Sequence, residues 1–286
     1  MRAVNGGDPL AGPRDGALRI TLAGWTVSLD VEEEALAGPL RRVFGAFLAP
    51  DAVAPDARLV MRTPPTPTAP PTVQELPRLE PGDSGTLRVE GSEYSAVLSA
   101  DRSHADVTGA GRYPVENVIK VMLASALAKR GGLLIHGVGL VHEGRAALFV
   151  GHSGAGKSTL AGLWREAGGV VLADELVAVW PVAGGGWRAA GTPWNVPIRT
   201  VEAPLVAVGT LGWDAASRWE PQGAGEVARV LLLNALLPEP TPAGRGALVG
   251  AAGRVLSSVE TARLVFARDA SAADVVRSRL DAAGRY

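Results

Sequence analysis

The segment that most constrains this 286-residue chain is residues 151–158, GHSGAGKS, which fits the pattern G-x-x-x-x-G-K-[ST]. In this pattern, successive backbone N–H groups surround the phosphates of a nucleotide. The match is specific, because the chain contains only three lysines, at positions 120, 129 and 157. Apolar residues 146–150 predict a strand before the loop, and residues 159–164 predict an amphipathic helix after it. The chain must therefore fold so that a strand, a glycine loop and a helix follow one another.

Each residue type in this loop has a physical role. Glycines at positions 151, 154 and 156 permit positive φ and a close approach of the backbone, so that N–H groups can converge on anionic oxygens. Lys157 is expected to bring a positive charge to the β- and γ-phosphates, and the Ser158 hydroxyl to bind a magnesium ion. The alternative is an ordinary glycine- and serine-rich turn. The predicted nucleotide-binding residues are Gly151, Ser153, Gly154, Ala155, Gly156, Lys157, Ser158 and Thr159.

The composition excludes several classes of site and partner. Cysteine is absent, which rules out disulfides, thiolate metal sites and cysteine nucleophiles. The formal net charge is −1 and the basic residues are scattered, which argues against nucleic acid or an anionic membrane as a partner. The apolar stretches are interrupted before they reach the length of a membrane span. We therefore expect a cytoplasmic protein, either monomeric or homo-oligomeric.

The pattern along the chain predicts a disordered tail over residues 1–17, an N-terminal α+β domain over 18–130 and a phosphate-loop domain over 131–286. Alternating residues predict a hairpin over 18–31 and strands over 86–90 and 94–98, whereas the prolines of 64–81 predict a surface loop. Apolar residues at helical spacing predict a helix over 114–129 with one buried face. The helix should end at Arg130-Gly131-Gly132, which marks the predicted boundary.

The strand that enters the loop is predicted to be half of a hairpin. Residues 133–141 and 146–150 are joined by so short a turn that they must pair antiparallel. Ordinary doubly wound nucleotide folds instead enter this loop from a parallel strand. A strand over 170–175 and a hairpin over 176–190 follow, and the later segments predict helices over 225–236, 247–257 and 272–282 and a strand over 262–267. The fold class is therefore α/β with a mixed sheet.

Candidate catalytic residues lie on both sides of the loop. Asp174 and Glu175 follow Lys157 by seventeen and eighteen residues, enough for the chain to return beside the phosphates. One carboxylate at such a strand end can hold magnesium together with Ser158, and one can accept the proton of an attacking hydroxyl. A hairpin turn with solvated acids is the alternative. His136 is either a core histidine or, if its strand pairs with the loop strand, a contact for phosphate or hydroxyl.

A candidate acceptor-binding segment spans residues 191–199, which combine two prolines with Trp194 and Arg199. These two side chains could offer an aromatic surface and a cation to the acceptor. The alternative is an irregular connection in which Trp194 packs into the core.

The order of these features resembles the C-terminal catalytic domain of HPr kinase/phosphorylase. The resemblance rests on His136-Gly137, the short hairpin, the loop at 151–158 and the run Leu172-Ala173-Asp174-Glu175. It implies a phosphate-loop fold related to PEP carboxykinase and transfer of a phosphoryl group from ATP to a protein serine. It also implies that Asp174 is the general base, Ser158 a magnesium ligand and His136 a neighbour of the reacting groups. The implied catalytic residues are Asp174, His136, Glu175 and Lys157.

Three departures from that family concern the acceptor. Where the family has paired aspartates, this chain has Asp174-Glu175, and where the family has an acid after the loop serine, this chain has Thr159. The family's C-terminal signature of the Pro-Gly-Arg-Asn type is missing. The chain is more similar to divergent HPr-kinase-like proteins of ribosomal peptide biosynthesis, which include kinases of lasso-peptide precursors. The expected partners are ATP, magnesium and a peptide or protein with an acceptor serine. A small-molecule kinase and an ATP-binding regulatory NTPase are the alternatives.

Overall fold

The computed structural model describes residues 17–64, 77–194 and 201–283. Within these ranges the chain forms two mixed β-sheets and six α-helices, which confirms the α/β class. The first sheet contains β1 (Leu18–Leu22), β2 (Trp25–Val31), β3 (Ala57–Arg62), β4 (Arg78–Pro81), β5 (Leu87–Glu90), β6 (Tyr94–Leu98) and β7 (His104–Gly109). Its strand order is β1-β2-β3-β7-β6-β5-β4.

The second sheet contains the loop strand and its neighbours. Its members are β8 (Leu133–His142), β9 (Arg145–Val150), β10 (Val170–Ala173), β11 (Leu176–Pro181), β12 (Trp187–Gly191), β13 (Glu202–Trp213), β14 (Arg218–Pro221) and β15 (Glu260–Phe266). The long strands β8 and β13 change partners along their length, so that β8-β11-β12-β13-β9 close on themselves. The helices are α1 (Ala37–Phe44), α2 (Arg112–Lys129), α3 (Lys157–Glu166), α4 (Ala224–Asn234), α5 (Pro242–Ser258) and α6 (Ser271–Ala282).

Two tight hairpins follow the sequence prediction. The β1–β2 turn uses Ala23 and Gly24, and the β8–β9 turn uses Glu143 and Gly144. All four residues have positive φ, the backbone geometry that matches the twist of paired strands. The antiparallel pairing of β8 with β9 is therefore confirmed.

The loop strand also has a parallel neighbour that the sequence reasoning missed. β9 pairs antiparallel with β8 on one side and parallel with β13 on the other. β13 in turn pairs parallel with β15. The carboxyl ends of β9, β13 and β15 therefore meet at one edge of the sheet, where the phosphate loop begins.

Helix α2 is buried on all sides from Pro114 to Ser125, so the prediction of a single buried face is wrong. It contacts strands of both sheets, and its core includes Leu59 and Val107 of the first sheet together with Leu176 and Ala178 of the second. Burial from both sides also covers charged side chains of α2, which the apolar periodicity did not indicate. The predicted division into domains at residue 130 stays a prediction.

Helices α3, α4, α5 and α6 cover the two faces of the second sheet. Val227 of α4 and Val255 of α5 belong to one apolar core, and Leu160 of α3 and Val276 of α6 belong to another. The end of the proline-rich stretch is the edge strand β4 rather than a loop, because proline is tolerated at a sheet edge. The predicted tail, up to residue 16, lies outside the described residues. No helix in the described part of the chain is long and apolar enough to cross a membrane.

Candidate phosphate-loop site

The loop at residues 151–156 joins the carboxyl end of β9 to the first turn of α3. Gly154 has φ 82° and Gly156 has φ 104°, conformations that glycine permits. Gly151 does not adopt positive φ. Glycine is required at position 151 for lack of space, because a Cβ atom there would lie 2.7 Å from the Cβ of Ala155. The loop therefore uses two glycines for backbone geometry and one for close packing.

Lys157 folds back over this loop. Its Nζ donates hydrogen bonds to the carbonyl oxygens of Gly151 at 2.7 Å and His152 at 3.1 Å. The side chain is buried, and burial lowers its pKa from the ordinary lysine value. Ser158 and Thr159 follow in the first turn of α3 with their side chains exposed. The ammonium group and these two hydroxyls thus lie at the helix N-terminus, where anions are stabilised.

The remaining predicted loop residues differ in exposure. Ser153 is exposed, and its carbonyl oxygen contacts Nδ1 of His152 at 2.6 Å. Ala155 is buried, and its N–H donates to the carbonyl of His152.

Asp174 and Glu175 occupy the bend between β10 and β11, on the β8 side of the loop strand. Asp174 Oδ2 accepts a hydrogen bond from Arg165 of α3 at 3.3 Å. Its other oxygen, Oδ1, is buried and has no hydrogen-bond partner among the described residues. A buried carboxylate oxygen without a partner is costly unless another group binds it. A proton or a metal ion would supply the partner that the Asp174 oxygen lacks among the described residues.

His136 lies where β8 passes the start of the loop. The next residue, Gly137, pairs with Val150 at the end of β9, and its N–H donates to the carbonyl of Glu175 at 2.9 Å. Burial lowers the pKa of His136, and the positive charge of Lys157 lowers it further. The imidazole is therefore neutral at neutral pH and lies within electrostatic range of the loop lysine.

A row of charged side chains on α2 also reaches this region, which sequence reasoning missed. Arg112, Glu116 and Lys120 follow one another at four-residue spacing and therefore lie on one helix face. Arg112 Nη1 lies 2.8 Å from Glu116 Oε1, and Lys120 Nζ lies 3.6 Å from Glu175 Oε1. Burial raises the pKa of Glu116 and lowers the pKa of Lys120, while their opposite charges counteract both effects. The available signal was this spacing of charges within an otherwise apolar helix.

A cleft of about 370 Å³ opens beside these groups, within the size range of ligand pockets. Lys120, His136 and Glu175 form its polar end. The rest of its lining is largely apolar and comes from the start of β4 and the residue before it, α2, β11, the end of α4 and the segment after α4: Pro77, Leu79, Val121, Ala124, Leu176, Leu233, Asn234, Ala235, Leu236 and Leu237.

The two residues predicted to contact the acceptor lie in different situations. Trp194 is buried in the core, 3% exposed, and the Lys120 ammonium lies 4.9 Å from the centroid of a ring of its indole. Arg199 lies outside the described residues. Their predicted roles in acceptor binding stay predictions.

The chemistry of a magnesium site can be tested on the side chains at the loop. The described residues contain no group of three or more histidine, cysteine, aspartate and glutamate side chains arranged to hold a metal. Magnesium at a nucleotide needs fewer protein ligands, because phosphate oxygens and waters supply the others. The exposed hydroxyl of Ser158 and the unpartnered Oδ1 of Asp174 are both hard oxygen donors, so the residues fit this ion.

Comparisons with known proteins provide little further constraint. No family model matches the chain, and no curated protein matches it. One similar solved structure is that of an HPr(Ser) kinase/phosphatase from Coxiella burnetii, which is 12% identical; the match covers 53% of this chain and 99% of that one, with a TM-score of 0.28. A TM-score of this size does not establish a shared fold, so what this site can do follows from its own residues.

Proposed function

We propose that this chain is an ATP-dependent kinase that transfers the γ-phosphoryl group to a serine hydroxyl of a peptide or protein. One observation carries the proposal. His136 and Glu175 form the polar end of a cleft, Gly137 beside His136 pairs with Val150 directly before the glycine loop, and Asp174 with its unpartnered oxygen occupies the same bend as Glu175. A phosphate-binding loop and a carboxylate available to an acceptor are the two parts that phosphoryl transfer requires.

The loop residues would bind and orient the triphosphate. The backbone N–H groups of the loop and the N-terminus of α3 attract its oxygens. Lys157 now donates to two backbone carbonyls, and phosphate oxygens would replace these acceptors. Because the ammonium is already buried in the loop, little side-chain entropy remains to be lost when nucleotide binds. A magnesium ion held by Ser158 and Asp174 would supply charge neutralisation of the phosphates.

Asp174 is the proposed general base. The serine hydroxyl oxygen attacks the γ-phosphorus, its proton passes to the Asp174 carboxylate, and the bond from the γ-phosphorus to the β–γ bridging oxygen breaks to release ADP. Arg165 holds the other carboxylate oxygen and thereby fixes the orientation of the group. Glu175 and neutral His136 line the cleft, where each can accept a hydrogen bond from the incoming hydroxyl.

The charge balance of the cleft favours a neutral acceptor. Lys120 is paired with Glu175, His136 is neutral, and the remaining lining is largely apolar. A serine flanked by apolar residues complements such a surface, whereas the anionic acceptor of a small-molecule kinase would meet no free cation among the described residues that line the cleft. A lasso-peptide precursor is the hypothesis that the sequence resemblance adds. A regulatory NTPase would need no such cleft.

The test is incubation with ATP, magnesium and serine-containing candidate peptides, with added phosphate read by mass spectrometry. Asp174→Asn should retain nucleotide affinity and lower turnover by about 10²- to 10⁴-fold, the usual contribution of a general base. Lys157→Ala should lose productive nucleotide binding. Lys129→Ala is the matched control, because Lys129 is exposed and donates to the carbonyl of Asp101.

Three outcomes would contradict parts of the proposal. Unchanged turnover in Asp174→Asn would remove this residue as base. A loss that excess magnesium restores would remove Asp174 as base and leave it only the proposed role of metal ligand. Steady ATP hydrolysis that no hydroxyl acceptor alters would favour the regulatory NTPase.

A further inference from the structure

The strand ends of the second sheet carry aromatic residues on the side of the loop opposite the cleft at Lys120, His136 and Glu175, which is called the acceptor cleft below. β9, β13 and β15 are parallel neighbours, so they end at the same edge. β9 leads into the glycine loop, and β13 and β15 end in Trp213 and Phe266, which pair with each other. The phosphate loop begins at this same edge. The aromatic pair therefore lies beside the proposed phosphate site.

Trp213 packs directly on the glycine loop. A Cβ atom at Gly156 would lie 2.6 Å from Trp213 Cζ2 and 3.0 Å from Phe266 Cζ. The Trp213 and Phe266 rings are 4.4 Å apart between centroids and inclined by 35°. Despite these contacts, Trp213 remains 39% exposed. A large aromatic side chain is thus held at the surface beside the proposed phosphate site.

Arg268 completes this surface. Its guanidinium carbon lies 4.6 Å from the centroid of the Trp213 ring, and its side chain is exposed. Guanidinium planes and aromatic rings are the two kinds of surface on which nucleobases stack in proteins. The layer formed by Trp213 and Arg268 is called the stacking platform below.

Hydrogen bonds fix the chain segments that carry the stacking platform. The Asp214 N–H donates to the carbonyl of Phe266 at 3.3 Å, and the Ala267 N–H donates to Ser217 Oγ at 3.0 Å. Ser217 Oγ also accepts from Ser271 Oγ at 2.6 Å. These bonds tie the turn after β13 to the turn after β15. A surface ordered before the ligand arrives loses less entropy on binding.

We propose that the stacking platform binds the nucleobase of the triphosphate held by the glycine loop. The inference rests on the proposed function, because it names the site for the other end of the same nucleotide. The acceptor cleft lies on the β8 side of the loop strand and the platform on the β13 side. This arrangement leaves the γ-phosphate facing the acceptor while the base points away from it, as transfer between two substrates requires.

The test compares ATP with inorganic tripolyphosphate, which has the phosphates without the base. Affinities of both are measured by calorimetry with magnesium for the unmodified protein and for Trp213→Ala, Trp213→Phe and Arg268→Ala. Either alanine variant should weaken ATP binding by about tenfold, which corresponds to about 1.4 kcal/mol, and leave tripolyphosphate binding unchanged, since only ATP has a base to stack. Trp213→Phe should retain most of the ATP affinity. Val249→Ala, an exposed apolar side chain on α5, is the control.

The pattern of results separates this inference from the proposed function. Equal weakening of ATP and tripolyphosphate would overturn the inference, because Arg268 or Trp213 would then act on the phosphates or on the loop. Unchanged ATP affinity in both alanine variants would also overturn it. If the unmodified protein binds neither compound, both the proposed function and this inference are wrong.

Discussion

Replacing two loop glycines and one glycine of α3 by alanine tests the proposed geometry most directly, because the three positions differ in the sign of φ and in the space for a Cβ atom. Gly156 has φ 104°, and a Cβ there would overlap Trp213 at 2.6 Å. Gly154 has φ 82° and open space around its Cβ position. Gly162 lies within α3, with open space and no positive φ. The series therefore separates backbone strain from steric overlap.

The expected stability changes differ in size and sign. Gly154→Ala incurs only the strain of a positive φ, about 1–2 kcal/mol. Gly156→Ala adds the cost of displacing a packed ring, about 1–3 kcal/mol more. Gly162→Ala should instead stabilise by about 0.5–1 kcal/mol, because glycine is unfavourable inside a helix. A total near 2–5 kcal/mol for Gly156→Ala is a large part of the stability of an ordinary domain, about 5–15 kcal/mol.

Urea unfolding followed by tryptophan fluorescence measures all three variants, since the chain contains seven tryptophans. Only the midpoint should change, with the slope of free energy against urea unchanged. Equal losses for Gly154→Ala and Gly156→Ala would refute the contact between Gly156 and Trp213. A stable Gly154→Ala protein would refute the positive φ at that position.

Two further predictions concern the charged groups of the cleft. The unfolded chain protonates His136 near pH 6.5, whereas the lowered pKa in the folded protein resists protonation, so the free energy of unfolding should fall as the pH drops below 6.5. Urea titrations between pH 7.5 and 5 should show a shallower pH dependence of stability for His136→Gln than for the unmodified protein. The same pH dependence in both proteins would show that the pKa of His136 is not lowered. Glu175→Gln should destabilise by about 1–3 kcal/mol, because it removes the partner of a buried ammonium. The double variant Lys120→Met with Glu175→Gln should cost less than the sum of the single changes, and strict additivity in urea unfolding would mean that the two groups do not interact.

The parts of the fold that could be predicted are those set by neighbours in sequence. The β8–β9 hairpin follows from two apolar runs joined by a turn too short for any other pairing. β13 was missed, because Pro204, Gly209 and Gly212 interrupt its strand pattern and its main partners lie far away in the chain. Its parallel pairing depends on tertiary contacts that periodicity cannot reveal.

The same distinction applies to the site. The loop and the acids at 174 and 175 are separated only by one helix and one strand, so their approach to each other could be inferred from spacing. Lys120 comes from a helix that precedes the loop strand, and its approach to Glu175 depends on the packing of α2 against both sheets. Trp213 could not be identified for a similar reason, since its position beside Gly156 follows from the order of the strands.

The changing partners of β8 determine where the chain can tolerate an insertion. The first residues of this strand pair with β11, which follows the acid bend, and its later residues pair with β9, which leads into the loop. One added residue within β8 would turn His136 to the opposite face and shift the acids against the loop at the same time. An insertion at the Glu143–Gly144 turn would leave both pairings in register. The register of this single strand thus sets the positions of the loop, the acids and the histidine relative to one another.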